Sequence, residues 1–393
     1  MSRLRRPHEL AADEIPVEHR PLGDLGAVEP LLGLCAGGKL YEVEAWIADG
    51  RPIQFPPPTD RKLRRRSTAL QIAVTQRFHS LAGLLLANGY NPNGDHYEFF
   101  TIAARARDYD MVKLLVRFGG NPNSVDFCTV LETCDRELMD LFISVGVDPC
   151  RKNAVAHALY FKARPILGFI KQYLHQFPCL KRQIDLALHS FTDRNDLRGI
   201  ALMLWLGADP HADTPASVEE DDNGYAADSS AFQCALWSAP TEIVTQFLKR
   251  PIPQAKVQKL LSSAPHGKSP ALVRRLLQQG ANPNHVEEWG YPVLYEFINV
   301  MLWRYGSPST EEIQRGLEAL DVVLAAGAKW SPDERQVRSL RRRLAQGDTD
   351  VVTGLIELLR KHQGIPPSQL HDLTRTPSVQ KLLKGAPKPH RYR

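Results

Sequence analysis

The sequence predicts an all-α helical solenoid, and three observations carry that prediction. A phrase of Gly, one variable residue, Asn or Asp, and Pro keeps returning; an apolar stripe of fixed spacing precedes each copy; and copies recur at close to thirty residues or twice that. The phrase reads Gly89-Tyr90-Asn91-Pro92, Gly119-Gly120-Asn121-Pro122, Gly146-Val147-Asp148-Pro149, Gly207-Ala208-Asp209-Pro210 and Gly280-Ala281-Asn282-Pro283. Gly89 to Gly119 is 30 residues and Gly119 to Gly146 is 27, while Gly146 to Gly207 is 61, about two such units. Gly207 to Gly280 is 73, two units and an insertion, and eroded copies stand at Gly50 and Gly327. A unit of this size is one supersecondary element, which buries its core only by stacking on its neighbours.

Each element follows from its place relative to the glycine. Seven residues before it stand Val43, Ala82, Val112, Met139, Ile200, Val273 and Leu320; four before it stand Trp46, Leu85, Leu115, Phe142, Met203, Leu276 and Val323. The place three before holds Ile47, Leu86, Val116, Ile143, Leu204, Leu277 and Leu324. Apolar residues at i, i+3 and i+4 make one buried stripe on a helix. The glycine then sits where a left-handed cap carries no Cβ penalty. In the five full copies a proline three residues on cannot continue the helix and biases the Asn or Asp before it toward extended backbone. The first helix of a unit opens at Ser67-Thr68-Ala69-Leu70-Gln71-Ile72-Ala73, where a hydroxyl can cap free N–H groups.

That opening resembles the T-P-L-H-x-A signature of the ankyrin repeat, with Ala for Pro and Gln for His, and Gly290-Tyr291-Pro292-Val293-Leu294 is a looser version. The resemblance covers roughly residues 30–345 and implies an ankyrin-like solenoid of about nine or ten variant repeats. Tetratricopeptide and HEAT-like arrays lack a Gly-x-Asn-Pro turn feeding an extended finger. Departures from the usual repeat length predict irregular stacking and unusual helices around 151–192 and 290–326.

Around this array, residues 1–29 are expected to form an arm or partial cap. Residues 51–66 are a Pro-rich and basic insertion, and residues 212–228 an acidic one too polar to bury. Ser331-Pro332-Asp333-Glu334 is a good helix start, so helices are expected near 333–345 and 349–362. Residues 346–384 read as capping helices, with a short one at Pro377–Leu383, and residues 385–393 as a basic tail.

Composition is that of an ordinary soluble chain, with 43% hydrophobic and 24% charged residues and a net charge of +5. No apolar run approaches membrane-spanning length and no apolar segment follows the first residues, so a cytoplasmic protein is expected. The six cysteines show no paired spacing and read as reduced thiols. Phosphate loops, H-E-x-x-H and G-x-S-x-G are absent from the sequence, which predicts no enzyme and no cofactor. Cys128, Cys134, Cys150 and His157 could converge between stacked repeats, but their spacings match no common zinc pattern, and no metal is expected.

In the ankyrin family the fingertips and first helices line a concave groove for partner proteins. Carried onto this chain, the resemblance implies partner contacts at His96, Tyr97, Phe127, Arg151, Lys152, Glu288, Trp289 and Trp330, with interfinger packing as the competing role for the aromatics. The function expected is a protein–protein interaction scaffold with a regulatory, adaptor or inhibitory role. The rival is nucleic-acid association through the basic runs at 61–66 and 341–343, which lie toward opposite ends of the chain. No membrane partner is expected.

Overall fold

In the computed structural model the glycines keep their appointment. Gly50, Gly89, Gly119, Gly146, Gly207, Gly280 and Gly327 all lie at φ between +75° and +92°, each ending a helix. The N–H of the next residue reaches back five residues, as Gly120 does to Leu115 (2.9 Å) and Ala208 to Met203 (2.9 Å), closing the helix end. The residue after the glycine is buried at Tyr90, Gly120, Val147, Ala208, Ala281 and Ala328, and exposed at Arg51 of the eroded first copy. The stripe residues seven and four before the glycine are buried in all seven copies, whereas Val116, Ile143, Leu204 and Leu277 are only half-buried.

The structure describes residues 22–56, 66–93, 99–214, 229–238, 241–267, 269–287, 290–303, 309–375 and 377–385. They fall into two compact units, Met1–Ala187 and Leu188–Arg393. The first unit pairs α1 (Leu25–Ala36) with α2 (Leu40–Ala48), α3 (Ala69–Thr75) with α4 (His79–Ala87), α5 (Phe99–Arg105) with α6 (Tyr109–Arg117), and α7 (Phe127–Glu132) with α8 (Arg136–Ser144). The first helices α1, α3, α5 and α7 stack in one layer, and α2, α4 and α6 in another. The hydroxyl of Thr68 caps α3 by accepting from Gln71 N (3.2 Å), as its sequence foretells.

A second turn, between the two helices of a pair, is built on one αL residue. Gly38, Arg77, Arg107, Cys134 and Asn195 occupy it at φ +50° to +64°. Asp108, Asp135 and Asp196 follow the last three of these and cap α6, α8 and α11 (Leu197–Trp205). The fifth repeat lacks this turn. Its two helices are fused in α9 (Ala154–Tyr173), which packs on α7 at one end and reaches α8 at the other, where the Tyr173 hydroxyl donates to Asp140 (2.7 Å). α10 (Cys179–Asp193) follows. These unusual lengths fall within the expected 151–192 stretch.

Successive phrases are tied by side chains one residue past the proline. The Asn93 amide donates to Gly119 O (2.9 Å) and accepts from Asn121 N (2.8 Å). Asn123 does the same to Gly146 O (3.2 Å) and Asp148 N (2.9 Å), and Asn284 to Gly327 O (3.0 Å) and Lys329 N (2.8 Å). Each rung satisfies one backbone donor and one acceptor that no helix uses, a gain of about 1 kcal/mol per bond. Gln54 and Gln258 serve Asn91 and Asn282 with the same pair of bonds where no preceding Asn exists.

At the third phrase the rung residue is Cys150, and it is bonded to Cys179, with the Cα atoms 6.2 Å apart. This corrects the expectation of reduced thiols throughout. Phe177-Pro178-Cys179 carries its cysteine in the same register as Asp148-Pro149-Cys150, so two successive rung positions meet. Cys35 and Cys128 are the small core residues expected; Cys134 is exposed.

In the second unit, α10 and α11 lead to β1 (Asp213–Thr214) and β2 (Ser229–Ser230), a two-residue antiparallel pair that flanks the acidic insertion. Of that insertion residues 215–228 lie outside the described residues. Helix pairs continue as α12 (Ala231–Ser238) and α13 (Thr241–Leu248), α14 (Gln254–Gly267) and α15 (Pro270–Gln278), α16 (Val293–Leu302) and α17 (Thr310–Ala325), α18 (Glu334–Leu344) and α19 (Thr349–His362), then α20 (Pro367–Thr374) and α21 (Pro377–Gly385). α18 opens on a capping box of Asp333 and Gln336 at the foretold place, and α20 lies within the stretch 346–384 read as capping helices. Among the described residues no helix is long and apolar enough to cross a membrane.

Candidate functional site

Helices α12, α14 and α16 stack side by side in the second unit, and α17 and α19 pack behind them. Their packing leaves a cleft of about 580 Å³ lined by Trp237, His266, Glu296, Asn299, Met301, Trp303 and Glu312, with Phe297, Ile313, Ala319 and Val351 among its apolar walls. Trp237 lies at the end of α12 and Trp303 directly after α16, so both tryptophans project where a first helix ends. They are 64% and 54% exposed, an unusual loss of burial for so large a side chain.

The polar groups of the cleft are held in place. The His266 ring stacks on Trp237, with centroids 3.6 Å apart and planes 22° off parallel. Burial pushes its pKa down to about 4, so the ring is neutral at pH 7. Burial pushes the Glu296 carboxyl up, opposed by the Asn299 amide beside it and by the Arg343 charge. Arg343 donates to Asn299 Oδ1 and lies 5.9 Å from the Trp303 ring. The cleft therefore joins aromatic faces to a carboxyl group whose ionisation its surroundings disfavour.

The residues foreseen as partner contacts have scattered fates. Phe127 is 3% exposed and its ring packs on Phe169 of α9 at 5.7 Å. Trp330 is 5% exposed, sits edge-on to Tyr295 at 5.1 Å, and its backbone N–H bonds Gly364 O (2.8 Å). These rings take the competing role weighed for the aromatics, filling space between neighbouring repeats. Arg151 and Lys152 are exposed, with Arg151 donating to Asn123 O and Lys152 at φ +53°. His96, Tyr97, Glu288 and Trp289 lie outside the described residues.

Of the four residues weighed as a metal set, only Cys128 and His157 meet, Sγ to Nδ1 at 3.2 Å, while Cys150 is bonded elsewhere. In the basic runs, Arg66 pairs with Glu29 at 2.9 Å and residues 61–65 lie outside the described residues. Arg342 is exposed, but Arg341 is half-buried and Arg343 is turned into the cleft wall, so the run 341–343 does not present three free cations.

No family model matches the chain. Ankyrin repeat and SOCS box protein 14 of Mus musculus is 31% identical over 120 residues, which is 28% of this chain and 20% of that protein. The chain thus spans one fifth of the length of that curated relative. The crystal structure of the ankyrin repeat domain of Bcl-3, described as a unique member of the IkappaB protein family, matches 75% of this chain and 99% of its own at 17% identity and a TM-score of 0.28. The sequence match falls on a chain whose paired helices, capped by αL glycines, are tied by finger rungs. Over that stretch the chain is similar to an ankyrin-repeat protein. The site that sequence reasoning missed is the cleft of Trp237, His266, Glu296 and Trp303. One signal could have found it: a tryptophan stands at or just past the end of the first helix in two repeats, and both are exposed.

Proposed function

We propose that this chain is a protein-recognition scaffold, and that the cleft between Trp237 and Trp303 anchors its partner. The supporting observation is the pair of half-exposed tryptophans rimming a preformed cavity of about 580 Å³. Tryptophan is among the residues that dominate interface energetics, and a rigid pocket avoids part of the ordering cost of binding. Aromatic walls around a carboxyl held above its ordinary pKa suit a side chain with an apolar body and a donor tip. A regulatory, adaptor or inhibitory role in the cytoplasm is the broader reading, and fingertip residues Arg151 and Lys152 would extend the contact surface.

The test uses a partner purified by co-isolation and then titrated against the full chain. Trp237→Ala with Trp303→Ala is expected to weaken binding about 30-fold or more, as loss of a 2 kcal/mol anchor does, while the circular dichroism spectrum stays unchanged. An affinity unchanged in the double variant would remove the cleft from the interface. Arg151→Glu with Lys152→Glu then asks whether the first unit contributes.

A further inference from the structure

Cys150 and Cys179 belong to the series of rung residues, and they alone in it are joined covalently among the described residues. Asn93, Asn123 and Cys150 stand one residue past the proline of three successive phrases, and Cys179 stands one past Pro178, 29 residues further on. The asparagine rungs hold neighbouring repeats by two hydrogen bonds each. A cysteine can offer the next repeat no such pair of bonds, so this joint depends on the sulfur–sulfur bond. We propose that Cys150 and Cys179 form a redox modification site, at which a small-molecule disulfide closes the joint between the fourth and fifth repeats and a small-molecule thiol opens it.

The surroundings fit reversible exchange. Cys179 is exposed and Cys150 half-buried, so a small thiol can reach the bond without unfolding the repeat. Cys179 is also the first residue of α10, a 15-residue helix whose N-terminus favours a thiolate over a thiol. Asp148 has its carboxylate within 4.8 Å of both sulfurs and is held there by the Cys150 N–H (2.9 Å). Its charge opposes a thiolate on either sulfur, so the helix N-terminus is what makes Cys179 the thiolate that attacks first.

The chemistry balances. In closing, the Cys179 thiolate attacks the small disulfide and expels one small thiolate, leaving a mixed disulfide. The Cys150 thiolate then attacks the Cys179 sulfur and expels the second. Two protein thiols are oxidised, one disulfide is reduced to two thiols, and the two protons pass to the released thiolates. Opening runs the same steps in reverse. The joint does not fall apart when opened, because Gln183 still accepts from Ala156 N (3.0 Å) and donates to Asn153 Oδ1 (3.0 Å) across it. Opening loosens a hinge within the first unit while its repeats stay folded.

The full chain would be equilibrated with reduced and oxidised glutathione at set ratios, quenched by alkylation, and digested without reductant. A linked peptide pair carrying Cys150 and Cys179 should rise and fall reversibly with the ratio. Closing should slow amide exchange in residues 148–180 about tenfold or more, with little change in the second unit. Cys150→Ser should abolish both responses, and Cys150→Asn, which restores an amide to the rung, should hold the slow exchange at every ratio. The proposal fails if both thiols stay alkylatable in the most oxidising buffer, or if the link survives the most reducing one. Pairing of either cysteine with a different partner, or protection of both thiols by added zinc in the reduced chain, would overturn it as well.

Discussion

Replacing Phe142 with alanine is expected to destabilise the first unit by about 3–5 kcal/mol, the scale of a large buried aromatic lost to a cavity. Phe142 stands four residues before Gly146, in the stripe of α8, and has no exposed surface. Its ring meets Phe100 of α5 edge-on, with centroids 6.3 Å apart and planes at 70°, so it joins the third and fourth repeats as well as filling its own. Its carbonyl also accepts the Val147 N–H that closes the helix (3.2 Å), so a shift of the backbone would loosen the cap. In a stack, such a loss acts on the repeat and on its interfaces, and distant repeats feel it little. Urea unfolding followed by amide exchange should show the first unit opening at lower denaturant. A loss below about 1 kcal/mol would mean that the ring is not a stack contact.

Asp108→Ala should cost the same unit about 2–4 kcal/mol, as an N-cap and a buried carboxylate paired with two half-exposed cationic side chains disappear together. Asp108 is 3% exposed, caps α6 through Met111 N (3.1 Å), and receives His79 Nε2 at 2.8 Å and Arg77 Nε at 3.3 Å from the preceding repeat. Burial alone would raise its pKa. The bonds from His79, Met111 N–H and Arg77 outweigh that and hold the carboxyl below its ordinary range. A carboxyl with a depressed folded pKa binds its proton more readily in the unfolded chain. Its stabilisation is thus complete above about pH 5 and drains as pH falls through the unfolded and then the folded value. Asp108→Asn keeps an oxygen for the cap and should lose less than alanine at pH 7. It should also flatten the fall in stability between pH 5 and 3. Urea midpoints across that range measure both; equal stability of Asn and Ala variants would assign the whole effect to charge.

What the sequence showed and hid follows from the kind of signal each feature leaves. The helix ends were legible because glycine at positive φ, a capping hydroxyl at Thr68 and the Asp333 capping box each need a specific residue type. The turn within each pair was not, because its αL position is filled by Arg77, Arg107, Cys134 and Asn195, and tertiary packing rather than residue type holds them there. The fused helix α9 lies in a stretch marked as irregular, yet nothing in the sequence says that the inner turn would vanish. Phe127 and Trp330 were read from position alone, which cannot tell a ring packed between fingers from one offered to a partner. The Cys150–Cys179 pair was hidden by the eroded phrase before it. Once Pro178 is aligned with Pro149, the two cysteines fall on adjacent rungs. The cleft needs residues from five helices and is visible only once they are stacked.

The central claim is that the residue past each phrase's proline joins one repeat to the next. Residue-resolved amide exchange on Asn93→Ala tests it most directly. Asn121 N–H, which Asn93 accepts at 2.8 Å, should exchange about tenfold faster, while Asp148 N–H and Lys329 N–H, held by Asn123 and Asn284, keep their wild-type rates. Unchanged exchange at Asn121, or an equal acceleration at all three amides, would contradict it.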